Sequence, residues 1–260
     1  MKSKFVHTFS KSESSKPESC MGIVRSISRL FMASLLLFLT LPSYAQDSAN
    51  EFYEWMILAE QGNPQAQFNL AVMYDGGKGV AQDYAQAFYW YRKSAAQGDA
   101  KAQLNLGVMY DQGKGVKRDP AKAMSWYEKS ARAGKNPRAQ LNIALMYDGG
   151  TGVKQDFKKA VLWYKKAAKN GNLQAQLNLS VLFFNGTGVT EDVVKAYAWC
   201  QLAASQGSEA GQKNRELIKS RMLEEQIIAG DALYKKYYQK YVVPFMRKTE
   251  KKETKKAGNK

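Results

Sequence analysis

A repeat of about 36 residues constrains the fold of this chain more than any other feature. Glycines recur at intervals of 36, 36, 37 and 36 residues, and the one extra residue falls in the turn around Asn136-Pro137. The repeated glycines are Gly62, Gly98, Gly134, Gly171 and Gly207. A fixed period of this length is typical of a solenoid, in which neighbouring units bury a continuous core that no single unit could bury alone.

Each unit reads as two helices joined by a glycine-rich turn. In the first unit, Ala66, Leu70, Met73 and Tyr74 recur at the spacing of one helical face. This helix is predicted to end at the turn 76–79, and a second helix begins after an aspartate that can cap free backbone amides. The capping aspartates are Asp83, Asp119, Asp156 and Asp192. The spacing therefore predicts an all-α solenoid of paired helices.

The recurring positions resemble those of the Sel1-like repeat family, a relative of the tetratricopeptide repeats. The strings A-Q-x-N-L-x-x-M-Y, G-x-G-V, D-x-x-x-A and W-Y-x-x-A-A-x-x-G carry the resemblance. It implies a right-handed α/α superhelix over residues 46–207. The units are a partial one at 51–62 and full ones at 63–98, 99–134, 135–171 and 172–207.

The last unit departs from this pattern. Phe184 replaces the aspartate found at Asp75, and Cys200 replaces the tyrosine found at Tyr91. A degenerate terminal unit is typical of a cap. Residues 208–243 are accordingly predicted to form C-terminal capping helices, at 209–220 and 224–241.

The N-terminus reads as a secretory signal peptide. Arg25 and Arg29 precede an apolar run from Leu30 to Leu41, which is followed by Pro-Ser-Tyr and Ala45. At about twelve residues the run is too short to span a membrane comfortably. We expect residues 1–45 to be an N-terminal extension and signal peptide, cleaved after Ala45; the alternative is an uncleaved anchor. Export places the protein in the periplasm or outside the cell, with no transmembrane helix after cleavage.

The mature chain offers few groups for catalysis. The only histidine is His7 and the cysteines are Cys20 and Cys200, so cleavage leaves no histidine and one thiol. This excludes a Cys/His or Ser/His pair and a zinc site of the usual kind. The G-x-G loops lack the G-x-x-x-x-G-K-[ST] pattern and are interpreted as turns. We expect no enzyme and no cofactor; the alternative is the weak β-lactamase-like or other hydrolase activity of some cysteine-rich members of the family.

A second apolar stripe on the first helix of each unit is the candidate binding site for a protein or peptide partner. Phe68 and Val72 lie on the side of the helix opposite Ala66. Such a stripe either packs between neighbouring repeats or forms a groove, and the sequence leaves both open. First helices commonly line the concave surface of a solenoid. The candidate residues are Phe68, Asn69, Val72, Leu104, Asn105, Val108, Leu141, Asn142, Leu145, Leu177, Asn178 and Val181.

The positive charge is concentrated at the ends of the chain. Of the net +16, residues 46–234 contribute 23 basic against 19 acidic residues, and residues 235–260 contribute ten against two. The tail 244–260 is predicted to be disordered and could hold the protein to an anionic envelope surface. Export argues against nucleic acid as a partner. The sequence thus predicts a non-enzymatic interaction scaffold of the bacterial envelope, with a structural component held by its basic tail as the alternative.

Overall fold

The computed structural model describes residues 43–244 and residue 246, and this part of the chain contains eleven helices and no strand. The predicted all-α solenoid is confirmed. The helices are α1 (Ser43–Glu60), α2 (Pro64–Gly76), α3 (Tyr84–Ala96), α4 (Ala100–Gln112), α5 (Pro120–Gly134), α6 (Pro137–Gly149), α7 (Phe157–Lys169), α8 (Leu173–Asn185), α9 (Val193–Ala204), α10 (Glu209–Lys219) and α11 (Glu224–Tyr241).

Side-chain caps define where the repeat helices begin. The four predicted aspartates each accept a backbone N–H of the second helix; for example, Asp156 Oδ1 lies 2.9 Å from the amide nitrogen of Lys159. The first helices are capped in the same way by residues that the sequence pattern did not indicate as caps. These caps are Asn63, Asp99, Asn136 and Asn172.

Each repeat helix packs against the helices that precede and follow it in the sequence, which builds the solenoid. Alanines with no exposed surface, such as Ala66 and Ala87, let the helices approach closely. The largest fully buried side chains are three tyrosines at equivalent positions of the second helices, Tyr91, Tyr127 and Tyr164. The tyrosines of the recurring Trp-Tyr pairs therefore belong to the core.

The buried glutamines of the Ala-Gln pairs join neighbouring units. Gln67 Nε2 donates to the Ala59 carbonyl oxygen at 3.1 Å, and Gln103 and Gln176 donate to Ala95 and Ala168 at 3.2 Å. The acceptor lies in the last turn of the preceding second helix, where carbonyl groups lack partners within the helix. This explains why a polar residue recurs inside the core.

The two ends of the described region are closed differently. At the N-terminal end, α1 begins at Ser43, before the partial unit predicted at 51–62, and packs on α2 through Phe52 and Ala59. At the C-terminal end, α10 and α11 pack on α9. The ring centres of Trp199 on α9 and Tyr237 on α11 lie 4.5 Å apart. The predicted signal peptide up to residue 42, and the basic tail from residue 247, lie outside the described residues.

Within the described part of the chain, none of the helices combines the length and the apolar character needed to cross a bilayer.

Candidate partner-binding surface

The predicted partner-binding residues occupy three equivalent positions on α2, α4, α6 and α8, and burial separates these positions. At the first position, Leu104 and Leu177 are only 4% and 9% exposed, and Phe68 and Leu141 are half-buried. The Phe68 ring lies 5.9 Å from the ring of Tyr91 in the following helix. The first position is therefore largely buried, and at Phe68 the ring contact joins the two helices of one repeat.

The last of the three positions lies at the surface. Val72, Leu145 and Val181 are 42%, 44% and 44% exposed, and Val108 is half-buried. We call these four residues the exposed apolar row. Large apolar side chains at equivalent positions of successive repeats form a more contiguous surface than scattered ones do, and such surfaces are typical of interaction sites. The second alternative, an accessible apolar stripe, thus describes this row and not the whole set.

The asparagines beside the row are half-buried and take part in a repeated polar cluster. Asn178 donates to the hydroxyl of Tyr164, which in turn donates to Asp148 Oδ2 at 2.9 Å. In the equivalent cluster, Asn105 donates to the hydroxyl of Tyr91. This hydroxyl lies 3.5 Å from Asp75 Oδ2, a longer distance than in the cluster of Tyr164. Each cluster therefore links the two helices of one repeat to the first helix of the next.

Burial is the main cause that raises the pKa of Tyr91, Tyr127 and Tyr164, and the neighbouring aspartates raise it further. These hydroxyls are therefore neutral donors at physiological pH. A carboxamide has two donor and two acceptor positions, more than these contacts use, so the half-buried asparagines retain capacity for a bound chain.

The sequence alone did not predict the hydrogen bonds from Tyr91 to Asp75 and from Tyr164 to Asp148. A signal was present in the sequence. The fourth repeat loses the aspartate and the tyrosine together, since Phe184 and Cys200 stand at those positions.

Two clefts lie along the exposed apolar row. A cavity of about 240 Å³ lies between the second and third repeats, where Leu145 and Asn142 face Asp111 and Arg118. A cavity of about 230 Å³ near the C-terminal end is lined mainly by apolar atoms, including those of Val181, Phe184 and Leu217. The surroundings of the row are thus more polar between the second and third repeats than in the fourth.

The one free cysteine in the described part of the chain, Cys200, is buried. Burial raises the pKa of the Cys200 thiol to about 11, and its Sγ donates to the Gly211 carbonyl oxygen at 3.0 Å. A buried thiol of this kind is a poor nucleophile. Among the described residues there is no group of three or more histidine, cysteine, aspartate or glutamate side chains placed to hold a metal ion.

Comparison with known proteins places the chain in a family. The model of the Sel1 repeat matches residues 64–99, 100–135, 137–172 and 173–208. The crystal structure of c5321, a protective antigen present in uropathogenic Escherichia coli strains that displays an SLR fold, is 35% identical over 77% of this chain and 43% of that one, with a TM-score of 0.69. A Sel1 repeat protein from Oxalobacter formigenes is 39% identical over 66% of this chain and 50% of that one, with a TM-score of 0.60.

The chain therefore spans half or less of the length of these two structures. A search of curated proteins gave no match. Four consecutive matches to one repeat cover more than half of the residues, and the solved structures share the helical arrangement. The chain belongs to the Sel1 repeat family.

Proposed function

We propose that this protein is an exported, non-enzymatic scaffold of the bacterial envelope, and that a segment of a protein or peptide partner binds along the exposed apolar row on the concave face. Sel1 repeat proteins generally mediate protein–protein interaction, which supports the class of function. The observation that carries the proposed site is the exposure of Val72, Leu145 and Val181 at equivalent positions of separate repeats.

The surroundings of the row have the composition of an interface. Asn69, Asn105, Asn142 and Asn178 adjoin it along the same helices. Lys101 and Arg138 stand one helical turn before Asn105 and Asn142 and are exposed. An apolar centre with a polar and charged rim is the usual anatomy of a protein–protein interface.

The test removes the apolar character of the row without touching the core. The variant Val72→Thr/Leu145→Asn/Val181→Thr changes exposed side chains only, so it should unfold at nearly the wild-type temperature. Crosslinking and affinity capture from the native envelope should then recover a partner with the wild type and lose it with the triple variant. Each lost apolar contact contributes on the order of 1 kcal/mol, so a loss of about a hundredfold in affinity is expected.

A matched control alters residues outside the row that are more exposed than those of the row. Ile57→Thr/Leu162→Asn/Ile228→Thr removes apolar side chains that are 55%, 59% and 63% exposed, on α1, α7 and α11. This control should capture the partner as the wild type does. Equal capture by wild type and row variant, or equal loss in both triple variants, would reject the proposed surface.

A further inference from the structure

Three lysines converge at the junction of the third and fourth repeats. The ammonium groups of Lys165 on α7 and Lys195 on α9 lie 5.2 and 5.5 Å from the centre of the same Phe183 ring. Lys169 follows Lys165 by one helical turn, and both Lys169 and Lys195 act electrostatically on Lys165. Burial, then Lys195 and Lys169, lower the pKa of Lys165. The cluster thus holds like charges close together around a half-buried ammonium group.

Little negative charge compensates this cluster. Lys195 pairs with Asp192 at 2.6 Å. Neither Lys165 nor Lys169 has an ion-pair partner among the residues that the structure describes. Three cations therefore share one carboxylate.

The junction before it is arranged differently, although its backbone is equivalent. There Glu128 stands at the position of Lys165, with Arg132 and Lys159 at the positions of Lys169 and Lys195. Arg132 pairs with Glu128 at 3.3 Å, and Lys159 pairs with Asp156 at 3.5 Å. Two cations face two carboxylates, so this junction is electrically balanced. The exchange of one acid for one base converts a balanced junction into a cationic one.

We propose that Lys165, Lys169 and Lys195 form a binding site for a phosphate oxyanion, either free in solution or in a lipid headgroup. Ammonium groups bind phosphate oxygens through charge-assisted hydrogen bonds, which are stronger than neutral ones. The anion would supply the negative charge that the cluster lacks, and the Phe183 ring holds two of the lysines in place. This site is separate from the exposed apolar row.

The variant that tests this proposal copies the balanced junction between the second and third repeats. Lys165→Glu recreates the arrangement around Glu128, so the variant should fold at least as stably as the wild type. Titration with inorganic phosphate at fixed ionic strength, followed by phosphorus NMR, should show saturable binding by the wild type. We expect binding to Lys165→Glu to be weaker by about tenfold or more, since one charge-assisted contact is lost and a repulsion is added. The reciprocal variant Glu128→Lys should gain a second site.

A charge control separates a site from a general effect of net charge. Lys117→Glu makes the same change of charge in an exposed turn and should leave phosphate binding unaltered. A second arm measures sedimentation with phosphatidylglycerol vesicles against phosphatidylcholine vesicles. Vesicle binding that Lys165→Glu abolishes identifies a lipid headgroup, whereas phosphate binding without vesicle binding identifies a free anion. The proposal fails if neither probe binds, or if Lys165→Glu and Lys117→Glu reduce binding equally.

Discussion

At the residue scale, a tyrosine hydroxyl and an aspartate carboxylate join the two helices of the first repeat and those of the third. The contact between Tyr164 and Asp148 joins α7 to α6, and the contact between Asn178 and Tyr164 joins α8 to α7. In the fourth repeat, Cys200 replaces the tyrosine because α10 crosses at this point: Cys200 Sγ is already 3.0 Å from the Gly211 carbonyl oxygen. A tyrosine ring would collide with α10, so the departure from the repeat pattern follows from the cap.

Removal of one hydroxyl tests this arrangement. Tyr164→Phe keeps the packing of the ring but leaves Asp148 and Asn178 without their shared partner. We expect the free energy of unfolding to fall by about 1 kcal/mol, the usual net contribution of such a hydrogen bond. Urea unfolding measures the difference. Tyr53→Phe on the exposed face of α1 is the control, and an equal change in both variants would show that the buried contact contributes nothing.

At the scale of the elements, the two glycines of each G-x-G turn have different structural roles. The first, such as Gly113 with φ of +73°, ends the first helix in the left-handed conformation. The second approaches the start of the preceding repeat's second helix: a Cβ at Gly152 would lie 2.7 Å from Pro120 Cβ, and one at Gly115 would collide with the Tyr84 carbonyl oxygen. The turn is therefore also a contact between repeats.

The close approach at the second glycine predicts a larger cost for alanine there than at a glycine of positive φ that faces open space. Gly115→Ala adds a collision with a helix backbone to the strain of a positive φ, and we expect a loss of about 3 kcal/mol or more in the free energy of unfolding. In Gly98→Ala the new Cβ faces open space, and only the φ of +92° strains the backbone. The free energy of unfolding should therefore fall by about 1 kcal/mol. Chemical denaturation of the two variants compares them directly. Equal losses would mean that the close approach imposes no strain.

The sequence predicts the helices better than it predicts the surface between them. Period, glycine turns and capping aspartates depend on local chemistry, so the second helices start where Asp83 and Asp119 indicate. Phe68 and Val72 share one helix face, yet one packs on Tyr91 and the other is exposed. That difference depends on how the following helix packs against this face, and the periodicity of a single helix does not determine it. The lysine cluster likewise required the structure, because its members are contributed by separate repeats.

At the scale of the whole molecule, charge is distributed unevenly along the solenoid. Residues 46–134 contain ten basic and ten acidic residues, whereas residues 135–244 contain 16 basic and nine acidic ones. The C-terminal half therefore carries a net charge of +7 from its own residues, before the tail is added. The lysine cluster lies in this half, so long-range attraction and the local site would draw an anion to the same end of the molecule.

The buried tyrosines predict how the stability of the whole molecule depends on pH. Burial raises the pKa of Tyr197 and Tyr237 to about 12, and that of Tyr91, Tyr127 and Tyr164 is raised as well. A tyrosine in the unfolded chain titrates near pH 10. Above that pH the unfolded chain loses protons that the folded chain keeps, so the stability present below pH 10 falls as the pH rises towards the folded pKa values.

Each fully buried tyrosine contributes up to about 1.4 kcal/mol per pH unit to this decline. Unfolding temperatures, measured by the loss of helical circular dichroism, should therefore be nearly constant up to about pH 9 and drop steeply beyond pH 10. Lysines also titrate in this range, and Tyr164→Phe separates the two effects. All lysines remain in Tyr164→Phe, so the slope of the free energy of unfolding against pH should decrease only by the contribution of about one proton. If the slope is unchanged in Tyr164→Phe, the hydroxyl of Tyr164 is not protected by the fold.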